Sequence, residues 1–385
     1  IIFSLKLKME IKKIKSLVIK QRLKTPRKNS FGVQNFRSGF FVKLIDDKGN
    51  EGFGEGFCNW PDFSSNYRGK YIKNIFEPLI KNRKFQNPSH LFNYLQESTE
   101  RIKIQSGDFG AINQCIAAID IASWDLYAKL KKKPLRNILF KNPKSQILLY
   151  ASGLTLNNFD KFYPKIKKYK FNFIKIKVGF KEKDDIELLK IVSNLKFKFV
   201  MVDANQAWNY KEAIRRIHNL KKIKNIYWVE EPVIASANVS VWKNLKKNIS
   251  TNIAAGENLY GEKDIKKYIQ NNCFEFYQPD ITKYGGITSF MAIFNKYKKN
   301  IKNITPHYLG SGLGLFASAQ LISGVSNIPL EFDVTENEIR DKIFEKNLKI
   351  EKGKLILNQR AGIGVNLNKH FFRSNNDTLR SGNKG

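Results

Sequence analysis

KFVMVDA at 198–204, NIYWVEE at 225–231 and TNIAAGE at 251–257 decide the fold. Each is a short strand-like run with an acid at or next to its end, and Asp203, Glu230 and Glu257 follow one another at intervals of 27 residues. That interval is about the length of one strand, one helix and their connections, so the segments read as successive strands of a parallel sheet. ILLYAS (147–152) and FIKIKVG (173–179) precede them; EFYQPD (275–280), KNITPH (302–307) and IPLEFD (328–333) follow, with helical stretches between. Eight strands alternating with helices predict a closed parallel barrel rather than an open sheet.

The chain upstream has another rhythm. Residues 9–55 alternate like antiparallel strands, with a turn at Asp47–Gly49 inside FFVKLIDDKGNEGFGEG. AINQCIAAIDIASWDLYAKL (111–130) carries Ile112, Cys115, Ile116, Ile119, Trp124 and Leu126 at helical spacing and is stopped by Lys133-Pro134. Strands followed by helices predict an α+β domain. Downstream, residues 349–367 form a Gly-punctuated β-rich segment, and the polar residues after about His370 are expected to be loose. MEIKKIKSLVIK already alternates like a first strand, so residues 1–8 read as an upstream extension.

The formal charge of +34 admits a nucleic-acid or membrane-surface protein. The lysines, however, are spread along the whole chain rather than gathered in a patch, which favours a solvated surface. No apolar run of 18 residues predicts a membrane span, and the N-terminus lacks a secretory h-region. Cys58, Cys115 and Cys273 are far apart and odd in number, which excludes a disulfide framework or a CxxC zinc site and fits a reducing cytoplasm.

Equal spacing predicts that Asp203, Glu230 and Glu257 stand level at the C-terminal mouth of the barrel, where such folds keep their active sites. One such acid is an ordinary helix cap or ion-pair partner. Three in register repel one another unless a cation neutralises them, and an all-oxygen set favours Mg²⁺. One strand earlier, Lys175 and Lys177 are two residues apart and share a strand face, so both ammonium groups point inward. Mutual repulsion and a nearby divalent ion depress a lysine pKa, which suits one amine to act as a base. Across the barrel, Asp280 and His307 end strands six and seven, again 27 residues apart, and a carboxylate beside an imidazole orients it. Glu331 on strand eight completes the ring as a hydrogen-bond donor to a substrate carboxylate.

Together IKIKVGF (174–180), VDANQAW (202–208), VEEP (229–232), GEN (256–258), QPDITKYGGIT (278–288), PHYLG (306–310) and LEFD (330–333) resemble the enolase superfamily, and within it the mandelate racemase-like subgroup. AAIDIASWDLYAK (117–129) is similar to the family's last capping-domain helix. The resemblance covers about residues 9–367. It implies an α/β fold: a modified TIM barrel, (β/α)7β, over 141–345, with an α+β capping domain from 1–140 completed by 346–385 and a loose tail. It also implies Mg²⁺ on Asp203, Glu230 and Glu257, with Glu231 as a neighbour. Lys177 is then a base on one face of the substrate, supported by Lys175, with the Asp280–His307 dyad on the other and Asn205 lining the site.

The position five before Gly285, where muconate lactonizing enzyme-like members place a base lysine, is Asp280; Lys283 is expected to point elsewhere. The implied reaction is α-proton abstraction from a carboxylate, carried on to dehydration of a sugar acid to a 2-keto acid. The alternatives are racemisation or epimerisation and, outside catalysis, nucleic-acid binding on an inactive barrel. Specificity is expected from loops near 22–32 and 57–68, where Arg22, Arg27, Trp60 and Tyr67 are candidate substrate contacts. The expected partner is a small carboxylate substrate, with no nucleic acid or membrane, in a homo-oligomer.

Overall fold

The computed structural model describes residues 8–30, 32–365 and 367; most of the proposed 1–8 extension and the tail beyond His370 lie outside the described residues. The N-terminal region is a four-stranded antiparallel sheet: β1 (Met9–Asn29), β2 (Gly32–Asp46), β3 (Glu51–Gly56) and β4 (Arg83–Phe85), in the order β3-β2-β1-β4. The expected turn joins β2 to β3. Asp46 fixes it by accepting the Lys48 and Asn50 amides at 3.0 and 2.7 Å. The helix Phe109–Leu130 lies directly on β3. A Cβ at Gly54 would come 1.9 Å from the Ala118 carbonyl, so the glycines of EGFGEG let helix and strand approach.

The barrel strands are β5 (Gln146–Leu154), β6 (Phe173–Lys177), β7 (Phe199–Asp203), β8 (Ile226–Glu230), β9 (Asn252–Ala255), β10 (Phe276–Tyr277), β11 (Asn303–Ile304) and β12 (Leu330–Asp333). They pair in parallel from β5 through β11, and β12 returns to pair with β5. Across the β11–β12 seam the Thr305 hydroxyl donates to the Pro329 carbonyl at 2.9 Å. Seven helices, one in each connection, complete the (β/α)7β order. The period of two sorts the inward side chains by height. Tyr150, Phe173, Met201, Trp228, Ala254 and Phe276 form an apolar floor, and Lys175, Asp203 and Glu230 stand two residues further on.

After the barrel, β13 (Ile350–Glu351) and β14 (Lys354–Ile356) form a hairpin, and β14 pairs antiparallel with the first residues of β5. The chain then crosses to the end of the Phe109–Leu130 helix, where Gly362 accepts from the Leu135 amide at 2.8 Å and the Ile363 amide donates to Asp125 at 2.9 Å. The C-terminal segment is thus tied both to the barrel and to the long N-terminal helix.

Buried carboxylates seat the N-terminal region on the barrel. Asp120 accepts from the Thr288 amide and hydroxyl (2.9 and 2.6 Å) at the start of the helix Gly286–Tyr297, where the helix dipole favours an anion. Asp333, at the end of β12, accepts from Arg27 Nη2 (3.2 Å) and Arg37 Nη2 (2.5 Å). Burial by itself raises the Asp333 pKa, but Arg27, Arg37 and Arg340 outweigh it and hold the carboxyl far below its ordinary value. A carboxylate depressed by folding contributes stability above its unfolded pKa and loses it as pH falls through the folded one.

Asp333→Ala strands the fully buried Arg37 and is expected to cost about 3–5 kcal/mol at pH 7. The gap to wild type should be constant above about pH 5 and shrink progressively below about pH 4. Urea unfolding of both proteins at pH 7 and pH 3 checks the size and the sign.

Candidate active site

Lys175 is the centre of the mouth. Its ammonium is buried, 2.6 Å from Glu230 Oε1, 2.9 Å from Glu331 Oε1 and 3.8 Å from Asp203 Oδ2. Burial opposes its charge, but Glu230, Glu331, Tyr150 and Asp203 together hold its pKa well above the ordinary value. The depressed amine that a paired lysine suggests is therefore not found at Lys175, because carboxylates outnumber cations around it. Lys177 lies one layer higher, 3.0 Å from Asp203 Oδ2, and donates to Asn205 Oδ1.

Opposite, His307 Nδ1 is 2.8 Å from Asp280 Oδ2, and its Nε2 is 2.6 Å from Glu257 Oε2 and 3.7 Å from Glu331 Oε2. Burial works against the imidazolium, but Glu257, Glu331 and Asp280 raise its pKa well above the ordinary value. Asp280 is aimed by its other oxygen, which accepts from the Thr282 amide and hydroxyl at 2.7 and 2.6 Å.

Equal spacing predicts three level carboxylates; the structure levels two. Asp203 and Glu230 are register partners, whereas Glu230 pairs with Ala254, so Glu257 stands three residues further along. Each acid faces its own cation: Asp203 faces Lys177, Glu230 faces Lys175 and Glu257 faces His307. Among the described residues no three Asp, Glu, His or Cys side chains enclose a cation-sized space as they stand. Burial pushes Glu230 up to about 7 against the pull of Lys175. Burial also raises Glu257, but His307 and Lys283 outweigh it and bring that group well below the usual carboxylate range. Glu331 is lowered, because Lys175 and His307 outweigh its burial. It accepts from Ser152 and lies 2.9 Å from Lys175.

The residues nevertheless fit a divalent ion. Six buried carboxylates (Asp203, Glu230, Glu231, Glu257, Asp280, Glu331) are joined in one network with four basic groups (Lys175, Lys177, Lys283, His307), leaving two negative charges when all are ionised. Glu231 Oε1 and Gln278 Oε1 are buried with no partner, and orphaned acceptors of this kind suit a hard cation. Burial and Glu257 raise the Glu231 pKa well above the ordinary value. Asn205, Gln206 and Glu231, just past β7 and β8, hold positive φ of 44°, 64° and 37°, which stores backbone strain at the mouth.

The mouth opens into a cleft of about 1170 Å³ between barrel and N-terminal region. Lys177, Asn205, Glu257, His307, Arg27 and Trp60 line it. Arg22 and Tyr67 do not: Arg22 is exposed on β1, and Tyr67 turns outward to bond Tyr71 (2.8 Å) and Asp108. Lys283 does line it, contrary to expectation. The turn after Asp280, with the Lys283 amide on the Asp280 carbonyl at 3.0 Å, curls the side chain back over the Phe57 ring, 3.1 Å from Asn258 Oδ1.

Glu55 was not legible as a functional residue. It reaches from β3 under the dyad loop, accepting from Tyr308 Oη at 3.0 Å, the Gly314 amide at 2.8 Å and the Ser311 amide. The Phe57 amide donates to the Thr282 carbonyl at 3.0 Å. The end of β3 and the residue just past it thus touch the neighbours of both His307 and Asp280.

Residues 13–139 match the mandelate racemase / muconate lactonizing enzyme N-terminal domain, and residues 163–371 match the enolase C-terminal domain-like family. The chain belongs to the mandelate racemase / muconate lactonizing enzyme family of the enolase superfamily. It is 26% identical over 313 residues to the arabinonate dehydratase of Saccharolobus solfataricus, covering 78% of this chain and 81% of that protein. It is 30% identical over 274 residues to the L-talarate/galactarate dehydratase of Salmonella typhimurium (69% and 66%). A mandelate racemase/muconate lactonizing enzyme structure from Bordetella bronchiseptica superposes with a TM-score of 0.87 at 26% identity, covering 96% of this chain and all of that one. A racemase from Streptomyces coelicolor A3(2), solved with bound magnesium, shares the fold at 21% identity and a TM-score of 0.81 (94% and 99%). Members of this superfamily use Mg²⁺, and the chain is a lyase or isomerase of the family.

Glu55→Gln is expected to set an amide N–H against backbone donors, costing about 1–3 kcal/mol. Because the loop it holds carries His307, turnover should fall more than substrate affinity. Denaturation midpoints and separate kcat and KM values check both parts.

Proposed function

We propose that this enzyme dehydrates a sugar acid to a 2-keto acid, beginning with removal of the proton α to the carboxylate. The observation that carries the reading is the pair of basic groups facing one cleft: Lys177 from β6, and His307 oriented by Asp280 at 2.8 Å beyond β11. These strands lie on opposite sides of the barrel order, so the two groups suit opposite faces of a planar intermediate. Asp203, Glu230 and Glu257 would hold Mg²⁺, with Glu231 beside them. When bound, it supplies positive charge to the carboxylate oxygens on which the enediolate charge builds.

The chain's own residues do the proton work. The Lys177 amine takes the α-proton, and the C–H electron pair becomes the enediolate π bond. The His307 imidazolium, held by Asp280, gives its proton to the β-hydroxyl as the Cβ–O bond breaks and water leaves. The resulting enol relaxes to the 2-keto acid. Lys175, buried against Glu230 and Glu331, keeps positive charge beneath the substrate carboxylate. The apolar floor of Tyr150, Trp228 and Phe276 lowers the local dielectric and strengthens these interactions.

The same two-sided arrangement supports racemisation or epimerisation, in which His307 returns a proton to carbon instead of to a leaving hydroxyl. Among the described residues no helix is long and apolar enough to cross a membrane. The three free, buried cysteines fit the proposed cytoplasmic setting.

A library of sugar acids and amino-acid derivatives, assayed in Mg²⁺ and D₂O for keto acid and deuterium incorporation, tests the reading. Keto-acid formation is expected; deuterium exchange with inversion and no keto acid would assign the isomerase reaction instead. Neither product from any acid would contradict α-proton chemistry.

On the substrate so found, Lys177→Ala should abolish α-proton exchange. His307→Asn should keep it while turnover drops by roughly 10²–10⁴-fold. If the substrate presents its proton to His307, the two variants exchange behaviour. Near-normal turnover in both would remove these residues as the bases.

A further inference from the structure

We infer that Lys283 and Asn258 are positioning residues for the carboxylates of the mouth. Lys283 sets the Asn258 amide so that one nitrogen holds both Glu257 and Glu231. The Phe57 ring, by holding Lys283, ties the ion affinity of these acids to the seating of the N-terminal region. The inference rests on the proposed reading of the carboxylates as an Mg²⁺ site, and it gives a role to residues which that reading leaves unused.

Asn258 follows Glu257 directly, yet both side chains serve one network. In a strand, neighbours face opposite sides. Here β9 ends at Ala255, and Gly256 turns the chain at φ 137°, where a Cβ would meet the Gln278 amide nitrogen at 3.0 Å. Past that turn Asn258 Nδ2 donates to Glu257 Oε1 at 2.9 Å and to Glu231 Oε2 at 2.8 Å. Its Oδ1 accepts from Lys283 Nζ at 3.1 Å. The chemistry forbids turning this amide over: a carboxylate only accepts and an ammonium only donates, so the oxygen faces Lys283 and the nitrogen faces the two acids. Among the described residues no other group donates to the Glu231 carboxylate, whose Oε1 is buried without a partner. One nitrogen thus fixes which oxygen of Glu231 stays free and holds Glu231 and Glu257 together against their mutual repulsion.

Lys283 is placed for this task rather than for a plain ion pair. Its ammonium lies closer to Asn258 Oδ1 than to Glu257 Oε1, 3.1 against 3.5 Å. The Phe57 ring centroid is 4.3 Å from the same nitrogen. Lys283 is buried, so the ring face stands in for solvent on one side of the charge. Phe57 also pins the turn that carries Lys283, through its amide on the Thr282 carbonyl at 3.0 Å. Phe57 belongs to the N-terminal region, whereas Lys283, Asn258 and the acids belong to the barrel. Ring, ammonium, amide and carboxylates therefore form one unbroken line of contacts from the N-terminal region to the mouth.

Mn²⁺ affinity of the chelator-stripped protein, read by electron paramagnetic resonance, tests the inference in wild type, Asn258→Leu, Lys283→Met, Phe57→Leu and the double variant Phe57→Leu with Lys283→Met. Asn258→Leu should weaken Mn²⁺ binding roughly 10–100-fold, and Lys283→Met roughly 10-fold. The sign for Lys283 discriminates: removing a mere counter-ion of Glu257 would free a carboxylate and tighten binding. Phe57→Leu should weaken binding about 2–10-fold alone and have no further effect once Lys283 is replaced. An unfolded fraction lowers the number of sites per chain, not the affinity of those that remain, so poor folding does not imitate these shifts. Unchanged or tighter binding in Lys283→Met, wild-type affinity in Asn258→Leu, or equal Phe57→Leu effects in both backgrounds would each overturn the inference. With a saturable Mn²⁺ site in wild type, those results leave the Mg²⁺ reading standing. No saturable site in wild type removes the reading and the inference together.

Discussion

Lys175, fully buried between Glu230 and Glu331, is the interaction on which the barrel mouth depends. A lone ammonium over an aromatic floor would be driven neutral by desolvation. Here the surrounding carboxylates reverse the balance and hold it charged. With all of them ionised the acids exceed the bases by two charges, and a divalent cation at this low-dielectric mouth would offset that excess and the burial that raises Glu230 and Glu231. The chemistry proposed for the cleft follows from this excess, since positive charge beneath a substrate carboxylate makes its α-proton removable.

The N-terminal region takes part in the same electrostatics. Glu55 and Asp120 each reach across to the first turn of a barrel helix, where backbone N–H groups receive a carboxylate. Burial pushes both up to about 7, so each anion is held against a desolvation penalty by the donors around it. Glu55, near the end of β3, and Phe57, just past it, touch the residues beside His307 and Asp280. Arg27 and Arg37 approach from the other side, sharing Asp333. The cleft is therefore walled on two sides by groups whose charge is satisfied only when the region is seated on the barrel.

Periodicity and spacing made the barrel legible. Runs such as KFVMVDA are strands on any reading, and the 27-residue interval links them into one repeating architecture. The inward direction of Lys175 and Lys177 followed from strand alternation, and the Asp280–His307 contact from matching positions on successive strands. Local geometry beyond the strands was not legible. Glu257 stands above its predicted level because β9 ends at Ala255, and Lys283 returns to the cleft because the chain after Asp280 turns instead of extending. Glu55 and Asp333 were invisible as partners of loops some 250 and 300 residues distant, since no period relates a strand to a helix start in another layer. Tyr67 and Arg22 were named from loop position alone, and side-chain direction decided against both.

The proposed divalent-ion site among these carboxylates is the central claim, and a titration of Mn²⁺ into chelator-stripped protein, followed by electron paramagnetic resonance, tests it most directly. The account predicts one saturable Mn²⁺ site per chain, displaced by Mg²⁺ and lost in Glu230→Gln and Asp203→Asn. No saturable site, or one that both substitutions leave unchanged, would contradict it.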